Sequence, residues 1–372
     1  MELVNVEKKS FSLDAYTLEN GKTIPVTLGY ETYGTLNEDK SNAILVAHYF
    51  SASSHAAGKY SEDDVAPGYW DGLIGPGKAV DTNKYYVIST DNLANVQFSN
   101  PKVITTGPRS INPETGKRWG MTFPAYTFRD MAGIQKEFIT KQLGINKLHA
   151  VMGASAGGFI SLSWAVEYPE LIENVIGVIT NPQNPVLTSF TVLQHAMRAI
   201  ALDPKWKDGN YEDGEGPTEG LELAIQMMNA GAFTEEFYRD VYKRDSSEVV
   251  TYEDIHLPTA YEKQLGDAIK AGASAIDASH WYYTSRATMM HDLAHNHESL
   301  EKALEKITAN VLMVSSTRDY LQPTMFNREM VDTLNSLGKN AELFTFDSEK
   351  GHMGGVIDTH LFDKKVKEFL SK

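Results

Sequence analysis

The segment that most restricts this chain is Gly153-Ala154-Ser155-Ala156-Gly157. It follows the apolar run Leu148–Met152 directly and leads into the helical pattern Gly158–Tyr168. The G-x-S-x-G pattern is short enough to arise by chance, and its weight comes from this context. A strand that turns so sharply into a helix holds its central residue in a strained backbone conformation. The flanking glycines remove side chains that would collide across the turn. The product is a serine hydroxyl at a helix N-terminus, where backbone N–H groups and the helix dipole favour negative charge on a tetrahedral intermediate. A glycine-rich turn with an incidental serine is the blander reading, and the strand-to-helix setting argues against it.

The rest of the chain supplies a sheet for such a turn. The apolar runs Asn42–Phe50, Tyr85–Thr90, Val175–Thr180, Val311–Ser315 and Leu343–Phe346 are of the kind buried on both faces. Helical patterns lie between them at Thr127–Leu143, Gly158–Tyr168, Thr324–Leu337 and Leu361–Leu370. This alternation predicts an α/β fold with a mostly parallel central sheet. Phe11–Leu18 and Thr23–Tyr30, joined through Asn20-Gly21, predict an antiparallel hairpin ahead of it. Between 181 and 307 the alternation lapses into mainly helical patterns, clearest at Gln194–Leu202, Gly220–Asn229, Tyr261–Ala271 and Asp277–Leu293. The expected organisation is a core of 1–180 and 308–372, with a helical cap of 181–307 inserted between two strands.

Where a fold carries this serine turn, its acid and its base follow in that order along the chain. His352 lies in the glycine-rich loop after the strand Leu343–Phe346 and is the expected base. His360 sits where the last helical pattern begins and reads as a packing or capping residue. The acid must orient the imidazole and stabilise its protonated form. Asp319, shortly after the strand Val311–Ser315, is the candidate, and Asp347, five residues before His352, is the rival. The oxyanion donors expected are the backbone N–H groups of Phe50, in the loop after Asn42–Ala47, and of Ala156.

Other signals are weaker. Gly72-Leu73-Ile74-Gly75-Pro76-Gly77-Lys78 fits a phosphate-cradling loop, but Ala79 stands where a hydroxyl would hold magnesium and Pro76 removes an N–H. His291-Asp292-Leu293-Ala294-His295 has zinc-protease spacing without the usual Glu, and a solvated or cap-facing helix is the expectation, with no metal. Trp281-Tyr282-Tyr283 reads as cap core, one of them with a chance of lining an acyl pocket. The 372 residues carry a net charge of −15 from 34 basic and 49 acidic side chains, which argues against nucleic acid or an anionic membrane as a partner. With no cysteine, disulfides and thiolate chemistry are excluded. The start Met1–Glu7 lacks a basic segment followed by an apolar run, and no stretch approaches a membrane span, so a cytoplasmic location is expected.

Longer stretches carry a family resemblance. They are Tyr30–Asn37, Trp70–Thr82, Phe123-Pro124, Arg129-Asp130-Met131, the serine turn with Trp164-Ala165 after it, and Asp203-Pro204-Lys205-Trp206. In these the chain resembles the homoserine O-acetyltransferase family, over nearly its whole length. The resemblance implies the α/β-hydrolase fold and a triad of Ser155, Asp319 and His352. It also implies acetyl transfer from acetyl-CoA, as co-substrate and without a cofactor, to an amino-acid hydroxyl by a ping-pong route. A place in methionine biosynthesis and a homodimer joined through the cap helices are implied too. Two positions depart from the family. Met353 stands where the family has an Asp that meets the substrate's amino group. Ile225 stands where it has an Arg near the substrate carboxylate. Neither apolar side chain replaces a charge-assisted contact.

Overall fold

The computed structural model describes residues 3–244 and 256–372. Eight strands form one sheet: β1 (Lys9–Thr17), β2 (Thr23–Tyr33), β3 (Ala43–Ala47), β4 (Tyr86–Thr90), β5 (Leu148–Ala154), β6 (Ile172–Val178), β7 (Asn310–Ser316) and β8 (Ala341–Phe346). Their spatial order is β1-β2-β4-β3-β5-β6-β7-β8. Only β2 runs against its neighbours; every other adjacent pair is parallel. The central strands are continuous in Val, Ile, Leu, Ala and Met because side chains on both faces are buried. Ile44, Val46, Ala150 and Met152 belong to one apolar layer, and Leu45, Ala47 and Val151 to the other.

The serine turn joins β5 to α2 (Ala156–Glu167), which is buried along almost its whole length. Before β5 comes α1 (Phe128–Glu137), started by a reciprocal capping box between Thr127 and Asp130. The helical pattern Thr127–Leu143 does not continue as one α-helix. It widens into a π-helical turn at Phe138–Gln142, where Phe138 stacks on Phe11 of β1 at 4.0 Å.

Between β6 and β7, in the segment expected as a cap, the longer α-helices are α3 (His195–Leu202), α4 (Thr218–Ala232), α5 (Glu235–Val241), α6 (Ala260–Ala273) and α7 (Ala278–Met289). The segments that leave and re-enter the sheet run side by side. Asn184 N–H donates to the His291 carbonyl at 2.9 Å, and Leu293 N–H to that of Pro182 at 3.1 Å. Two helices then complete the sheet's flank, α8 (Thr324–Ser336) and α9 (Asp363–Leu370).

Two local expectations are corrected. His291 to His295 is neither helical nor solvated at its first residue. α7 stops at Met289, and His291 is buried with its ring stacked 4.0 Å from Phe159. A polar run after a helix left the choice between helix and turn to packing, and this stack decides it. His360 is exposed in a short turn of helix at Thr359–Leu361, and α9 begins only at Asp363. Trp281 and Tyr283 do lie in the main apolar cluster with Tyr282 packed against it, and none of the three lines the cavity beside Ser155. Among the described residues no helix is long and apolar enough to cross a membrane, and no acidic or His cluster is arranged to hold a metal ion.

Candidate active site

Ser155 has φ 52° and ψ −117°, a strained conformation for a residue with a side chain. Several bonds hold it there. Its N–H donates to the Val178 carbonyl at 2.9 Å, and its own carbonyl accepts from Thr180 Oγ1 at 3.0 Å and Phe159 N–H at 3.1 Å. The glycines around it are sterically required. A Cβ on Gly157 would overlap the carbonyl of Ala47, and one on Gly153 would overlap the backbone of Gly157. Both obstacles are backbone on neighbouring buried segments, so neither yields cheaply. Gly157→Ala is therefore expected to cost about 3 kcal/mol or more, at the severe end for a single substitution. Urea unfolding checks this, and a loss under about 1 kcal/mol would mean that the turn relaxes.

The loops after β7 and β8 bring two more side chains to the serine. His352 Nε2 lies 2.9 Å from Ser155 Oγ, and His352 Nδ1 lies 2.7 Å from Asp319 Oδ2. The other oxygen, Asp319 Oδ1, accepts the N–H of Gln322 at 2.8 Å. The contacts of Asp319 are buried and that between His352 and Ser155 is part-buried, with His352 and Asp319 less than a tenth exposed. The carboxylate fixes the imidazole with Nδ1–H donating and Nε2 facing the hydroxyl. Asp347 is elsewhere, on the surface, where its two oxygens pair with Arg318.

Phe50 and Ala156 both line the cavity beside Ser155. Among the described residues, neither backbone N–H finds a protein acceptor. The loop carrying Phe50 is held from behind by residues that no local pattern singles out. Asn95 Nδ2 reaches both the Ala52 carbonyl and His48 Nε2 at 3.1 Å, and Gln97 Nε2 donates to the Ser51 carbonyl at 2.6 Å. Asp91 Oδ1 accepts the Ser54 N–H at 2.7 Å. The Phe50 ring meets Trp281 of α7 edge-on at 4.7 Å. Burial holds His48 below the ordinary histidine range, which keeps it neutral. Its Nδ1–H then donates to the Tyr49 carbonyl at 2.7 Å while Nε2 accepts from Asn95.

The cavity in front of Ser155 measures about 310 Å³. Cap and core both contribute to its wall, the cap through Leu193, Met228, Asn229 and Phe233, the core through Phe159 and Val356. Met353 lies on this wall, whereas Ile225 is buried in the main apolar cluster. The glycine-rich segment Gly72–Lys78 lies apart from the site. Lys78 pairs with Asp71 there, and Gly77 N–H donates to Asp81 Oδ1 at 2.7 Å.

A buried Ser–His–Asp chain on a strand-to-helix turn, in a sheet of this order, defines a protein of the α/β-hydrolase class. The sequence model described as the α/β-hydrolase fold matches residues 67–353. The chain is 36% identical over 374 aligned positions to a homoserine O-acetyltransferase of Geobacter sulfurreducens, covering 99% of this chain and 98% of that one. The crystal structure of a homoserine O-acetyltransferase from Bacillus anthracis superposes with a TM-score of 0.96 at 55% identity, covering 99% and 98% of the two chains. That of esterase E22 does so with a TM-score of 0.93 at 39% identity, covering 98% and 100%. The chain belongs to the homoserine O-acetyltransferase family.

Proposed function

We propose that the protein transfers an acyl group from an acyl-CoA thioester to a hydroxyl acceptor through an ester on Ser155. The observation that carries this reading is the continuous Ser155–His352–Asp319 chain beside two backbone donors that find no acceptor among the described residues. Ser155 Oγ attacks the thioester carbonyl while His352 Nε2 takes its proton, and Asp319 stabilises the imidazolium. The N–H groups of Phe50 and Ala156 receive the negative charge on the carbonyl oxygen. Collapse expels the CoA thiolate, which takes the proton from His352. The acceptor then repeats the sequence in reverse, and its ester leaves. Family membership supports transfer, since relatives in both comparisons are named acetyltransferases.

Water in place of the acceptor would make the protein an esterase. The likeness to esterase E22 favours that second reading. Following free CoA after mixing with acetyl-CoA separates the two. Transfer predicts release of about one equivalent per site without an acceptor and sustained turnover with one. Sustained turnover in water alone would leave the esterase reading standing.

A further inference from the structure

We propose that the acyl acceptor is an uncharged alcohol with an apolar body, and that ionised amino-acid acceptors are excluded by the wall of the cavity. The inference rests on the acyl-enzyme reading above and names the second substrate's chemical class. Among the described residues, the wall contains no Asp, Glu, Lys or Arg. Its titratable members are Tyr49 and His352, and both ring nitrogens of His352 are engaged by Asp319 and Ser155. Residues 245–255 hold no Lys or Arg, so they add no cation for a carboxylate. Basic side chains on the adjoining loops are committed outward, Arg318 to Asp347 and Glu236, and Lys350 to Asp358.

What the wall does offer is apolar surface and neutral polar groups. Gln322 Nε2 donates to Asn184 Oδ1 at 3.1 Å, and Asn184 Nδ2 to Ser189 Oγ at 2.7 Å. Gln322 Oε1 is buried and has no hydrogen-bond partner among the described residues, which leaves it a neutral acceptor for an O–H or N–H group. An alcohol entering here surrenders one modest hydration shell and gains apolar contact. An ammonium and a carboxylate would surrender two strong ones, and among the described residues no counter-charge lines the wall to meet either. In the transfer step the alcohol oxygen bonds to the acyl carbon as its proton passes to His352 Nε2. The bond from that carbon to Ser155 Oγ then breaks, and Oγ takes the proton back.

The test uses the full-length protein and p-nitrophenyl acetate, an uncharged acyl donor. Intact mass after a short mixing time reads acetylation of the protein, and product analysis reads the ester formed. Four acceptors sharing one hydroxyalkyl unit are compared at equal concentration: n-propanol, aminopropanol, γ-hydroxybutyrate and L-homoserine. The expected result is ester from n-propanol at a rate at least tenfold above that from L-homoserine, with γ-hydroxybutyrate as poor as homoserine. If the protein acetylates and homoserine matches or exceeds n-propanol, the inference fails and the acyl-enzyme reading survives. If it acetylates and no acceptor gives ester, the inference also fails and water is the acceptor. If no acetyl-enzyme forms and Ser155→Ala changes nothing, both fail together.

Discussion

Ser155→Ala is expected to lower kcat by on the order of 10⁶-fold while leaving the fold unchanged. The size of the effect follows from the geometry. Ser155 Oγ is the atom that His352 Nε2 faces at 2.9 Å, and alanine leaves nothing there to deprotonate or acylate. Alanine tolerates the φ of 52° as well as serine does, so a thermal melt should stay within a few degrees of the parent. His352→Ala should cost nearly as much, and the double variant should cost little more than either single one, because the groups act as a unit. Asp319→Asn, which keeps the shape but upsets the imidazole's tautomer, should lose about 10⁴-fold. The measurement is pre-steady-state release of p-nitrophenol from p-nitrophenyl acetate. A burst of undiminished amplitude from Ser155→Ala would show that the acyl group is carried elsewhere.

Acidification between pH 6.5 and 4.5 is expected to destabilise the fold before its carboxylates titrate. The cause is burial of neutral histidine. Burial pushes His291 down to about 3, against which the bond to the Asn181 carbonyl acts only weakly, and Arg129 adds to the depression. Burial also holds His48 and His280 below the ordinary range, although Asp277 beside His280 pulls the other way. Below pH 6.5 the unfolded chain binds protons that the folded chain refuses. Stability therefore rises with pH across this window and is lost as pH falls. His291 contributes a slope of somewhat over ~1 kcal/mol per pH unit across this window, so it alone removes about 3 kcal/mol by pH 4.5, and His48 and His280 act in the same direction. Glu31 is a different case. Burial raises it, but bonds from His55 and Tyr60 and the nearby Lys8 outweigh that and lower it. Its contribution is present above the usual glutamate range and is lost only as pH falls further. Urea midpoints at pH 7.5, 6.5, 5.5 and 4.5 measure the slope. In His291→Asn the absolute stability should drop at neutral pH, and the slope should flatten. An unchanged slope in that variant would assign the acid sensitivity to other groups.

The serine turn and its helix could be read from the sequence because the constraint there is local. A strained residue between two glycines that tolerate no Cβ leaves a short pattern within five positions. His352 and Asp319 were legible at one remove, since strand order alone puts the loops after β7 and β8 at the same end of the sheet as that turn. Support for the Phe50 loop was not legible. Asn95 and Gln97 reach it across 43 and 46 positions of sequence, and an amide on a loop looks the same whether it braces a neighbour or faces water. The wall of the cavity was hidden for a related reason. Which residues of α4 face Ser155 depends on how the cap sits, so Ile225 could be noticed in sequence but not placed in the core, with Met228 and Asn229 on the wall instead.

On the mechanism proposed above, the spacing of Ser155, Asp319 and His352 along the chain also governs when the chemistry can begin. Ser155 acquires its strained turn from β5, α2 and the neighbouring β6, all within one short stretch. The imidazole that would activate it comes 197 positions later. Until the cap has formed and β7 and β8 have joined the sheet, the hydroxyl is an ordinary alcohol, no more reactive than any serine on a surface. On the proposed mechanism, a nascent or misassembled chain carries no activated nucleophile. Reactivity would then be withheld until the far half of the molecule has docked, which makes it a signature of completed folding.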